Sequence, residues 1–128
     1  MSTTRKPVSA SDSATAEVIR LFNEAFHRHD AAALTALVAQ DCVVENSQPA
    51  PDGSRHVGRE ACLALWQAIA TTPGTHFEVE DIFIAGELAI VRWRYRWGEG
   101  DSSSVRGVNL TRVRDNLIVE SFGYVKGG

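Results

Sequence analysis

Cysteine is scarce in this chain, with Cys42 and Cys62 the only two. Each sits among apolar neighbours (Asp41-Cys42-Val43-Val44 and Ala61-Cys62-Leu63-Ala64), where a small buried thiol is expected. A disulfide would need an oxidising compartment, and nothing points to export, so a reducing, cytoplasmic setting is expected. Long apolar runs are missing too. None approaches the roughly 20 residues of a membrane span, and the polar stretch Met1 to Ser13 lacks the apolar segment of a secretory signal. Positive charge is not in surplus: 13 Lys and Arg against 16 Asp and Glu leave a net charge of −3. That balance argues against a dedicated nucleic-acid binder. Repeats, low-complexity tracts, a glycine-rich phosphate loop, a nucleophile elbow and Cys/His metal spacing are absent as well, so no cofactor and no metal are implied.

What remains is a globular composition, 44% hydrophobic and 23% charged over 128 residues, which specifies one domain. Residues 1–12 read as a loose polar tail and 13–128 as the domain. Asp12 or Ser13 can cap a first helix, whose apolar face is Val18, Leu21, Phe22, Ala25 and Phe26. Asp30 reads as the cap of a second helix, Ala31 to Ala39, ended by Asp41. A short strand, Cys42 to Asn46, leads into a Pro- and Gly-marked loop over Gln48 to Gly58. A third helix starts at Arg59, carries Cys62, Leu65, Trp66 and Ile69 on one side, and stops at Pro73-Gly74. Four strands follow: His76–Ile84, Leu88–Trp97, Val105–Arg114 and Leu117–Val125. Helices early and strands late specify an α+β fold, with helices packed on one face of a mainly antiparallel sheet.

The order of these elements and several local strings resemble the nuclear transport factor 2-like superfamily, in its SnoaL-like branch. The strings are Phe26-His27-Arg28-His29-Asp30, Asp41-Cys42-Val43-Val44-Glu45, Gly58-Arg59-Glu60-Ala61-Cys62, Gly86 to Trp93, the hairpin Asn109 to Val119, and Tyr124-Val125-Lys126-Gly127. The resemblance implies a cone: a curved sheet closed by three helices around a mostly apolar pocket, in a protein that pairs as a homodimer through the opposite sheet face. It also implies a small-molecule ligand. Carried over residue by residue, the ketosteroid isomerase phenol falls on Phe22, the general-base carboxylate on Asn46 and the oxyanion-hole acid on Asn109. None of the three can play its isomerase part, so steroid isomerisation by the usual mechanism is not expected. The acidic residue used late in the sheet by SnoaL-type cyclases again falls nearest Asn109. The Asp-Arg-Asp arrangement of limonene-epoxide hydrolases has no counterpart.

Arg92-Trp93-Arg94-Tyr95-Arg96-Trp97 puts three arginines on one side of a strand and three aromatics on the other. Either side could face the core. The isomerase-like register turns the arginines inward, so that Arg92 and Arg94 attract a carboxylate, and leaves Trp93, Tyr95 and Trp97 for the dimer interface. The ligand-pocket candidates are thus Phe22, Asn46, Trp66, Arg92, Arg94 and Asn109.

Two functions follow. One is an enzyme, an isomerase, cyclase or hydrolase on a small apolar or weakly anionic substrate. It would work through Glu45, Glu120, His56 or His76; His27 and His29 point apart, a poor metal pair, and read as solvated. The other is a non-catalytic dimeric module that binds a small ligand. A Glu or His inside the cavity favours the first; a cavity of amides and apolar side chains favours the second.

Overall fold

The computed structural model describes residues 10–127. The expected loose tail therefore falls, over residues 1–9, outside the described residues. Helix α1 (Ala10–His27) begins before the expected cap. Asp12 lies inside it because its carboxylate is engaged elsewhere: Oδ1 accepts from the Gly86 backbone N–H at 2.6 Å. Thr15 Oγ1 donates to the Gly86 carbonyl at 2.7 Å, so α1 clamps both sides of one turn peptide.

Asp30 does cap the second helical segment, accepting from Ala33 N at 3.2 Å. That segment, Ala31–Leu37, is a 3-10 helix and stops two residues early. Val38 and Ala39 instead open strand β1 (Val38–Asn46), so Asp41 sits within a strand rather than ending a helix. Two β-branched residues and a Cys at Cys42–Val44 favour the extended form, and pairing with two neighbours carries it back to Val38. The long loop also contains an unexpected short strand, β2 (Ser54–Val57), folded back on β1. Gly53 makes that return feasible: a Cβ there would lie 1.8 Å from the Asn46 carbonyl oxygen.

Helix α2 (Arg59–Ala70) ends before Pro73. The Arg59 guanidinium ties it to the 3-10 segment and β1 through the Thr35 and Val38 carbonyls. At its other end His29 Nδ1–H donates to the Ala70 carbonyl at 2.8 Å. Strands β3 (His76–Ala85), β4 (Leu88–Arg96), β5 (Ser104–Arg114) and β6 (Leu117–Val125) follow, and a short 3-10 turn (Asp101–Ser103) precedes β5. Asp115 and Asn116 both take the positive φ expected of the last hairpin turn.

The six strands form one curved sheet in the order β2-β1-β6-β5-β4-β3, antiparallel except for the β1/β6 pair. α1, the 3-10 segment and α2 cover its concave side, which completes the expected α+β cone. Between them Ile19, Leu34, Val38, Cys42, Cys62 and Ile118 are almost wholly buried and form the solid end of the interior.

Candidate functional site

Register sorts the sheet into rows. On the concave side one row runs Ile84, Ala89, Thr111, Ser121, Val44. The next runs Ile82, Val91, Asn109, Gly123, and a third runs Val79, Trp93, Gly107, Val125. These rows floor a cavity of about 740 Å³ roofed by α1 and α2. Its walls are aromatic. Phe22 meets Trp66 edge-on at 4.9 Å between centroids, Phe26 meets Phe77 at 5.5 Å, and Phe77 meets Trp93 at 5.3 Å.

Four of the pocket candidates, Phe22, Asn46, Trp66 and Asn109, line this cavity together. Arg92 and Arg94 do not. They stand on the convex side, Arg92 exposed and Arg94 bonded through Nη1 to Ser104 Oγ at 2.7 Å. The orientation taken from the isomerase register is thus corrected: Trp93 and Tyr95 face inward and the arginine row outward, while Trp97, just past the strand end, is 51% exposed. The cause is desolvation. Arg92, Arg94 and Arg96 have no buried acids to meet them inside, whereas burying Ala89, Val91 and Trp93 costs far less, at most one unpaired indole N–H. Arg96 instead pairs outside with Glu78 at 2.8 Å and Asp101 at 3.2 Å. Trp93 is only 9% exposed, and Tyr95 packs on Phe77 at 4.6 Å, so both are spent on the chain's own interior.

Of the candidate acid–base groups, Glu120 pairs with Arg112 on the convex side, and His56 lies on β2 against Ser54 at 3.0 Å, outside the cavity. Glu45 and His76 reach the cavity wall only at its open side. Glu45 is held by Arg55 at 2.6 Å, and half-exposed His76 lies 3.4 Å from Glu78. The hydrogen bond from Arg96 holds the Glu78 carboxyl below the usual carboxylate range, so it is ionised at neutral pH. Arg20, Glu24 and His27 complete an ionisable, solvated rim.

Below that rim the polar lining is uncharged. Thr111 Oγ1 and Ser121 Oγ share a buried hydrogen bond of 2.8 Å. Asn46 Oδ1 accepts from Ser47 N at 3.0 Å, which fixes the amide and leaves its NH₂ free. The Asn109 amide has no hydrogen-bond partner among the described residues. No cluster of metal-ligating side chains occurs among the described residues either. Trp93, Phe77 and the Thr111–Ser121 pair were absent from the candidates. The run Ala89-Val91-Trp93, apolar at every second position beside a charged alternate, was the signal that could have found Trp93.

A curved sheet closed by helices over an aromatic hollow defines the nuclear transport factor 2-like class. Within it the chain belongs to the SnoaL-like domain family, whose match spans residues 18–121. It is similar to a nuclear transport factor 2-like protein of unknown function from Mesorhizobium loti, at 55% identity over 98% of this chain and 100% of that one, with a TM-score of 0.87. A protein assigned as a polyketide cyclase from Sinorhizobium meliloti shares 25% identity over 84% of this chain and 94% of that one, at a TM-score of 0.70. One assigned as a ketosteroid isomerase from Kribbella flavida shares the fold, at 21% identity over 92% and 82% and a TM-score of 0.76. No curated protein matches the sequence.

Proposed function

We propose that this protein is a small-molecule-binding module whose cavity takes an apolar, uncharged ligand. One observation carries the reading: the deep lining is aromatic, aliphatic, amide and hydroxyl, while every ionisable side chain that reaches the cavity is solvated at its rim. Each 100 Å² of ligand surface withdrawn from water there contributes about 2.5 kcal/mol, and no buried charge opposes it. Ligand-observed NMR with naphthalene tests this. The wild type is expected to bind it, and Ile69→Trp, which fills the hollow from α2, is expected to lose binding while still melting cooperatively. Equal binding by both proteins would overturn the reading.

A second reading, an isomerase or cyclase, is favoured by the His76–Glu78 pair at the cavity wall and by the designations of the two enzyme-like neighbours. An ionised Glu78 beside the ring would make His76 a general base for substrate bound at the mouth. Turnover that is abolished in His76→Gln while naphthalene binding persists is its signature.

We also propose that a reducing, cytoplasmic setting suits the two free, buried thiols of Cys42 and Cys62. The homodimer implied by the family is proposed through the convex face. There Phe83, Ile90, Leu110 and Phe122 form one cross-strand row, and Phe83 and Tyr124 are more than half exposed. Phe83→Glu is expected to shift sedimentation toward the monomer; an unchanged coefficient would remove this face.

A further inference from the structure

The arginine row that turns away from the cavity borders a second hollow. On the convex side a groove of about 370 Å³ lies over β4, β5 and β6. Register builds its floor: Arg92 pairs with Val108 and Val108 with Tyr124, so the three stand in one cross-strand row. Ile90, two residues before Arg92 on the same face, adds aliphatic surface. Tyr124, 55% exposed, gives the groove an aromatic wall.

The charges around this groove do not balance. On the outer side of β4 and β5, Arg94 lies 4.0 Å from Asp101 and Arg96 pairs with Glu78. Arg106 pairs with Glu80 at 2.9 Å and Arg112 with Glu120 at 3.7 Å. Arg92 and Lys126 have no acidic partner among the described residues, and both border the groove. Asp81 stands opposite Arg92 across β3 and β4, but its Oδ1 is turned back to the Ile82 N–H at 3.0 Å. Glu80, which lines the groove, is committed to Arg106. Two uncompensated cations therefore sit beside apolar surface in a chain whose net charge is −3.

We propose that this groove is a second binding site, specific for an organic monocarboxylate with an aromatic or aliphatic body. The Arg92 guanidinium takes the carboxylate through two parallel N–H···O bonds, Lys126 adds positive charge, and the body lies along Ile90, Val108 and Tyr124. The site is separate from the main cavity and selects the opposite chemistry, since negative charge is favoured here and excluded there. The row proposed for self-association runs beside it and shares Ile90, so a second copy is the competing occupant. A small anion fits better, because a symmetric copy brings the same surplus of positive charge against the groove.

The test is ligand-observed NMR on the full chain with 2-naphthoate, naphthalene and protonated 2-naphthylmethylamine. Wild type is expected to bind 2-naphthoate, and the amine about fivefold more weakly or worse. Arg92→Gln combined with Lys126→Gln is expected to weaken 2-naphthoate by about fivefold or more while naphthalene binds as in the wild type. Ile69→Trp, which fills the main cavity, is expected to do the reverse. A 2-naphthoate affinity unchanged by the double substitution, or lost in Ile69→Trp, overturns the site and places the anion in the main cavity or nowhere specific. Binding of 2-naphthoate by Phe83→Glu but not by the wild type also overturns it, by showing that a second copy covers the groove. No binding of 2-naphthoate by any form does the same. Failure of naphthalene alone overturns the cavity reading and leaves this site standing.

Discussion

Trp93 shows how a single side chain settles an orientation. Its indole lies over Gly107, packs on Phe77 and carries a buried N–H with no acceptor among the described residues. Truncation to Ala is expected to cost about 3–5 kcal/mol in urea unfolding, from lost burial and a residual void. Trp93→Phe is expected to cost clearly less. It keeps most of the ring contact and removes the unpaired donor, which offsets part of the loss. An equal cost for the two variants would contradict that account. Of the six pocket candidates, Phe22 and Trp66 were legible from the apolar faces of their helices, while Asn46 and Asn109 came from the family resemblance, and all four line the cavity. Arg92 and Arg94 were misplaced because a register borrowed from relatives was preferred to the cost of burying guanidinium groups.

At the scale of the element, helix ends and strand crossings decide what is tolerated. Asp30→Ala removes the side-chain acceptor at the start of the 3-10 segment and is expected to lower stability by about 0.5–2 kcal/mol, read by chemical denaturation. Gly107→Ala places a methyl against both an aromatic ring and a main-chain carbonyl. Strand β5 cannot yield without breaking its ladder to β4 and β6, so a loss of about 1–3 kcal/mol is expected. A melting temperature equal to wild type would show that Trp93 swings aside freely. The boundaries of α2 and β3 to β6 were readable within a residue or two from periodicity and turn residues. Strand β2 was not, because four residues in a Pro- and Gly-rich stretch become a strand only when β1 is there to pair with them.

For the molecule as a whole, pH acts through the packed end of the cone. Burial pushes the Cys42 thiol well above its ordinary value, with neighbouring Cys62 adding to the shift. The folded state then keeps a proton that the unfolded chain releases above about pH 8.5. Stability is complete below that pH and falls as pH rises past it, by at most about 1.4 kcal/mol per pH unit for one thiol. Cys42→Ala is expected to be less stable at pH 7 but to lose less between pH 7.5 and 10, as followed by thermal melting. Parallel curves would assign the alkaline loss to other groups.

Local chemistry in the chain was enough to specify an α+β domain, the Asp30 cap and the Asp115–Asn116 turn. Each follows from side-chain periodicity or from φ preferences that act over a few residues. Which face of β4 looks inward, that β2 exists, and that the Trp93 ring fills the space over Gly107 were decided only by the assembled sheet. Those outcomes depend on what lies opposite after folding, because burial cost and close packing are properties of pairs of distant residues.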